Sequence, residues 1–302
     1  MELIKQNMNL DFVGKMKIAF VASVVMIVVS ILSIVVHGGL NYGIDFAGGT
    51  LVQIKFNAET PTEKIRSAFK PIGLENSIIQ QVGPQEFVVR THESSSDTKG
   101  LSGKIDDALT TAMGKGTFEI RRVEVVGPKV GKDLTNKAIW ALVFSWIGML
   151  VYIAFRFELR YALGGILALV HDTVITVGAF SLLNKEFTLT IVAALLTIVG
   201  YSINDTIVIF DRIRENVRKN PRQPLGELIN TSINQTLSRT ILTSLTVLIV
   251  VVILFFLGGE VIHDFAFALI VGVIIGTYSS IFIAAQFVIV WERFRPAKKR
   301  KS

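Results

Sequence analysis

Six stretches of this chain are apolar over lengths that match a lipid bilayer, and they constrain the fold more than any other feature. They occupy residues 18–36, 138–155, 161–183, 187–210, 241–257 and 265–291. A bilayer core holds no water to satisfy backbone amides, so a run of about 20 apolar residues crosses it as an α-helix. Hydrophobic residues make up 51% of the 302-residue chain, which fits a polytopic α-helical membrane protein. The first run has the basic start of a secretory signal. It is long for a signal core, however, and Val36-His37-Gly38 is no small-residue cleavage site, so it reads as an uncleaved first helix.

Residues 37–136 form the only large polar region. Thr50 to Phe56 alternates as a strand, and Thr62 to Lys70 has helical spacing with Ile65, Ala68 and Phe69 on one face. Ser77 to Val82 and Glu86 to Arg90 read as strands joined at Gly83-Pro84. Asp97 to Met113 reads as a second amphipathic helix and Phe118 to Val126 as a last strand. The order βαββαβ predicts a ferredoxin-like α+β domain with helices on one face of an antiparallel sheet.

Charge sets the orientation. Residues 1–17, the 156–160 turn, the 211–240 loop and the tail at 292–302 together carry 17 Lys and Arg, whereas the turns at 184–186 and 258–264 carry one, Lys185. By the positive-inside rule both termini are cytoplasmic and the 37–136 domain is external. The same rule accounts for the net charge of +7, so the basic tail is read as topology and not as a nucleic-acid site. The chain has no cysteine, which excludes disulfides, thiolate metal sites and a cysteine nucleophile. Its four histidines, at 37, 92, 171 and 263, lack metal-site spacing, and no nucleophile–base pattern or nucleotide-binding motif is visible. The reading is therefore a non-enzyme without a bound cofactor. If it does work, the transmembrane ion gradient is the natural source.

The fourth run contains a carboxylate, Asp205, about five residues from its cytoplasmic end and so roughly 8 Å inside the helix. An ionisable group at that depth costs about 2.5–3.5 kcal/mol on insertion scales, and such groups usually face a partner or a wet cavity. Arg239 enters the fifth run from the same side and is the expected partner. Tyr201 is one turn above Asp205, Asn204 is adjacent, and Asp211 and Arg212 mark the cytoplasmic end of the helix. A movement that changed the Asp205–Arg239 separation would change proton affinity, which is what ion coupling requires. A permanent ion pair that merely joins two helices is the competing reading. His171-Asp172, mid-way along the third run, either extends an ion path toward Asp205 or serves as polar glue. Neighbouring helix positions point about 100° apart, so the two are not expected to face the same partner.

Two further segments stand out. Gly43-Ile44-Asp45-Phe46-Ala47-Gly48-Gly49 follows the first span and matches neither phosphate-loop spacing. Gly43, Asp45, Phe46, Gly48 and Gly49 read as a structural junction between membrane helix and external sheet. In the 211–240 loop, apolar residues at 225, 228, 229, 233 and 237 form a helical stripe, expected on the cytoplasmic membrane interface or docked to a partner.

The junction segment and the stretch Asn204-Asp205-Thr206-Ile207-Val208-Ile209-Phe210-Asp211-Arg212-Ile213-Arg214-Glu215-Asn216 resemble the SecF family, the smaller subunits of the bacterial SecDF protein-export accessory complex. The resemblance covers the whole chain. It implies pairing with SecD into a twelve-helix, pseudo-symmetric unit related to resistance–nodulation–division (RND) transporters, of which this chain is half. It implies association with the SecYEG channel, with YajC and YidC as further partners, in the bacterial inner membrane. It also implies use of the proton-motive force, with H⁺ or else Na⁺ as coupling ion, to draw out preproteins, and it maps the family's intramembrane Asp and Arg onto Asp205 and Arg239. The alternative is an RND-like proton-coupled exporter of small molecules or lipids, although such exporters usually carry two six-helix halves in one chain.

Overall fold

The computed structural model describes residues 9–75, 77–91 and 98–294, and falls into two compact units. The ends at 1–8 and 295–302, which include most of the basic tail, and His92 and Asp97 lie outside the described residues.

The α+β unit comprises residues 42–139 and 186–189. Its elements run α2 (Ile44–Ala47), β1 (Gly49–Phe56), α3 (Thr62–Phe69), β2 (Ile78–Gly83), β3 (Glu86–Thr91), α4 (Thr98–Met113) and β4 (Phe118–Val126). The sheet order is β2-β3-β1-β4 with every neighbour antiparallel, the ferredoxin-like arrangement that the element order predicts. Alternation along β1 sends Val52, Ile54 and Phe56 to one face, where they meet Ile65, Phe69, Phe87, Val89, Ile105 and Leu109 in a single core. The other face keeps polar pairs, such as Gln53 with Glu86.

The membrane unit carries six helices long and apolar enough to cross a bilayer. They are α1 (Phe12–Val36), α5 (Pro128–Arg156), α6 (Leu159–Leu182), α7 (Leu189–Lys219), α8 (Leu225–Leu257) and a last helix made of α9 (Glu260–Ser279), one π turn (Ser280–Ala284) and α10 (Ala285–Phe294). The chain is a multi-pass membrane protein. α6 and α7 are the most buried spans, while α5 and α8 turn most of their aliphatic side chains outward.

Three helices depart furthest from the expected boundaries. α5 begins at Pro128, ten residues before the apolar run, because Pro is well placed at a helix start and no second proline follows. α7 runs on to Lys219 and α8 starts at Leu225, so the only break in the 211–240 loop is around Pro221 and Pro224. The amphipathic stripe is therefore no separate interfacial helix but the first turns of α8. Its Ile229, Ile233 and Leu237 are buried against Ile209, Phe210 and Ile213 of α7, in the chain's own core. Asn216 fixes that pairing, its amide donating to Ser232 Oγ at 2.8 Å and Gln235 Oε1 at 2.9 Å. Asn230 and Asn234, on the same segment, bond the backbone of Leu10, Phe12 and Val13 and so tie down the start of α1.

Candidate functional site

Asp205 lies on the buried face of α7, 3% exposed. Its contacts come from α8, where Thr243 Oγ1 stands 3.3 Å from Oδ1 and Ser244 Oγ stands 3.3 Å from Oδ2. Ser244 in turn meets Thr277 Oγ1 of α9 at 2.7 Å. Tyr201, one turn along α7, places a solvent-sealed hydroxyl beside Ser244.

The expected ion pair is not formed. Among the described residues no bond joins Asp205 to Arg239; the Arg239 side chain is exposed, though its charge acts on Asp205 electrostatically. Arg239 is one turn before Thr243 on the same side of α8, and its side chain is exposed while Thr243 and Ser244 meet the carboxylate. Asn204 is also exposed, on the opposite side of α7 from Ser202 and Thr206. Asp211 pairs with Arg156 of α5 at 3.7 Å, and Arg212 with Glu215 at 2.8 Å, both at the helix surface.

His171 and Asp172 meet different residues of the neighbouring helices, as their spacing predicts, and they also meet each other, with Nδ1 2.9 Å from Oδ1. Asp172 is 1% exposed and collects more donors. Its Oδ2 accepts the hydroxyls of Ser202 (α7) at 2.6 Å and Ser279 (α9) at 2.8 Å. Gly276 makes room, since a Cβ there would stand 3.0 Å from Ser202 Oγ and 3.5 Å from Asp172 Oδ2. The π turn begins one residue after Ser279 and turns Ser280 toward Thr206 Oγ1, 2.8 Å away. His171 stacks on Tyr278, whose hydroxyl reaches Ala19 O and Ser23 Oγ of α1.

The sequence reading thus found both carboxylates but missed the hydroxyls that hold them: Ser202, Thr206, Thr243, Ser244, Thr277, Ser279 and Ser280. Their signal was present as serines and threonines inside apolar runs. It is an ambiguous one, because such side chains often bond their own preceding turn, as Thr173, Thr176 and Thr277 do.

Comparison with known proteins follows the same residues. A family description, "Protein export membrane protein SecD/SecF, C-terminal", matches residues 105–294, and a second, "SecD/SecF GG Motif", matches residues 34–59. The chain belongs to the SecD/SecF family. Among its relatives, protein translocase subunit SecF of Magnetococcus marinus is 48% identical over 100% of this chain and 97% of that one. The subunit of the same name from Calditerrivibrio nitroreducens is 46% identical over 98% of each. The crystal structure of SecDF, a translocon-associated membrane protein, from Thermus thermophilus superposes over 96% of this chain with a TM-score of 0.86 at 38% identity. SecDF in a super-membrane-facing form matches 98% of the chain with a TM-score of 0.71 at 37% identity. This chain spans 40% of each of those longer SecDF polypeptides.

Proposed function

We propose that this chain is the SecF-type subunit of a protein-export complex, paired with a SecD partner and associated with the SecYEG channel, YajC and YidC in the bacterial inner membrane. In this reading both termini are cytoplasmic and the ferredoxin-like domain works on the external face. The subunit uses the proton-motive force to promote translocation and release of preproteins after ATP-driven insertion. It performs no covalent chemistry and needs no cofactor. Asp205 is the coupling carboxylate, carrying H⁺, with Na⁺ as the alternative ion, and Arg239 is the cation whose distance from it changes in the cycle. Tyr201 and Asn204 line the same level of α7.

The observation that carries the reading is a carboxylate sealed inside a membrane helix of this family, held among the described residues by two hydroxyl contacts of 3.3 Å. A group so weakly tied within its own chain is suited to exchange an ion. The test is preprotein release from energised inverted membrane vesicles after ATP is exhausted, comparing wild type with Asp205→Asn, each with and without a protonophore. The variant is expected to release like uncoupled wild type while assembling normally. Equal, gradient-dependent release from both would overturn the assignment, and transport of a small molecule by the chain alone in proteoliposomes would favour the exporter.

A further inference from the structure

The junction segment has a second set of contacts, all within the α+β unit, and they converge on the first turn of α7. Gly43 N donates to Phe187 O at 3.0 Å, and Tyr42 forms a β-bridge with Phe187. Phe46 stacks on the Phe187 ring with centroids 6.0 Å apart. The Asp45 carboxylate accepts the backbone N–H of Leu189, the first residue of α7, at 2.8 Å. The first amides of a helix have no partner within it, and a carboxylate there also meets the positive end of the helix dipole. Asp45, distant in sequence, serves as that cap. Next to it, Arg90 of β3 pairs with Glu186 at 2.9 Å, three residues before the helix.

The glycines are what let the segment sit there. A Cβ on Gly43 would stand 2.8 Å from Thr188 Cγ2, and one on Gly48 would stand 3.0 Å from Pro128 Cα, at the start of α5. Gly48 and Gly49 have φ of +76° and +133°, conformations that a side chain would strain, and they turn the chain directly into β1. One seven-residue segment therefore bonds the first turn of α7, packs against the start of α5 and continues as the central strand of the sheet.

We propose that this segment is a clasp that stays closed through the working cycle, with Asp45 as the positioning residue that fixes the external end of the helix carrying Asp205. α7 is continuous from Leu189 to Lys219, so the capped first turn and the coupling carboxylate, sixteen residues on, belong to one helix. The inference rests on the proposed role of Asp205, and its test separates the two.

The chain contains no cysteine, so an introduced pair reports on itself alone. Asp45→Ala, Asp45→Asn, and the pair Gly43→Cys with Thr188→Cys, alone and on the Asp45→Ala background, are expressed as the sole copy of the subunit. Two readouts are taken: amide hydrogen exchange across residues 189–193, and the protonophore-sensitive part of preprotein release. Asp45→Ala is expected to speed exchange and to lower gradient-dependent release by about fivefold, the size of a lost cap. Asn, an equally good cap, should restore both, which shows that the hydrogen bond and not the charge is at work. The oxidised cysteine pair should leave release intact and rescue Asp45→Ala. Unchanged exchange in Asp45→Ala, or loss of release in the oxidised pair with recovery on reduction, would overturn the clasp. If Asp205→Asn releases normally, the ion assignment falls, and the exchange data and the oxidised pair still decide the clasp.

Discussion

Replacing Asp172 separates a hub that holds helices together from a group on an ion path. Three donors converge on its carboxylate at 2.6, 2.8 and 2.9 Å, one each from α7, α9 and its own helix. Polar contacts between membrane helices average about 0.6 kcal/mol and reach about 1.7. Removing all three with Asp172→Ala is therefore expected to cost roughly 2–5 kcal/mol. Asp172→Asn keeps the volume and can direct its remaining oxygen to the two serines and its amide to His171, provided His171 changes tautomer. Its cost should stay near the lower end of a single contact, about 0.5–1 kcal/mol. Ser202→Ala and Ser279→Ala should each cost about as much as one contact, and neither should add its full amount to Asp172→Ala, since the partner is already gone. Unfolding of the purified subunit in mixed micelles by graded denaturing detergent, followed by helix content, measures the four single variants and the two serine doubles on Asp172→Ala. An alanine variant within about 0.5 kcal/mol of wild type would refute the hub. An asparagine variant as unstable as alanine would show that charge, not donor count, decides the site.

Two packing predictions test the units separately. Gly272→Ala places a Cβ 2.3 Å from Ile198 Cδ1, so it should destabilise the membrane unit by about 1–3 kcal/mol, and Ile198→Ala on the same background should recover part of the loss in the same detergent titration. Phe87→Ala removes a fully buried ring that meets Phe56 edge-on at 5.5 Å, and should cost the α+β unit about 3–5 kcal/mol, read as faster amide exchange throughout β1 and β3.

Periodicity carried most of the fold because each unit has one dominant signal. In the α+β domain the period-2 pattern of Val52, Ile54 and Phe56 and the helical spacing of Ile65, Ala68 and Phe69 both survive as buried faces. Six apolar runs gave six helices, since hydrocarbon admits little else. What hydropathy could not place was where helices end. The polar residues between the fourth and fifth apolar runs looked like loop, yet Arg212 to Lys219 continues α7 through surface ion pairs, and the Leu225 stripe packs on the bundle as the first turns of α8. The site shows the same division. A carboxylate in an apolar run is conspicuous, so Asp205 and Asp172 were found. The serines that bond them come from helices up to 107 positions away in sequence, and nothing local distinguishes a serine that reaches a neighbour from one that bonds its own preceding turn. The Gly43–Gly49 junction was located, but its grip on Leu189 spans 144 positions and has no periodic trace.

The two intramembrane carboxylates differ in how firmly their donors are committed. A hydroxyl has one proton to give. Around Asp172, Ser202 has that carboxylate as its acceptor at 2.6 Å, and Ser279 reaches it at 2.8 Å against 3.2 Å for the Gly276 carbonyl. Around Asp205 every donor has a closer alternative. Thr243 stands 3.3 Å from the carboxylate but 3.0 Å from the Arg239 carbonyl and 2.9 Å from the Thr240 carbonyl. Ser244 stands 3.3 Å from it but 2.7 Å from Thr277. Buried groups of the same chemistry thus have opposite ties to their own bundle. Alanine at 172 removes a network that joins three helices, whereas asparagine at 205 breaks contacts that are already long. The expected signature is a crossed pair. Asp205→Asn should leave detergent stability within about 0.5 kcal/mol of wild type while removing gradient-dependent release, and Asp172→Ala should lower stability while leaving release gradient-dependent. Loss of gradient dependence in the 172 variant at unchanged stability would place His171 and Asp172 on the ion path instead. A large stability loss in the 205 variant would return Asp205 to the role of helix glue.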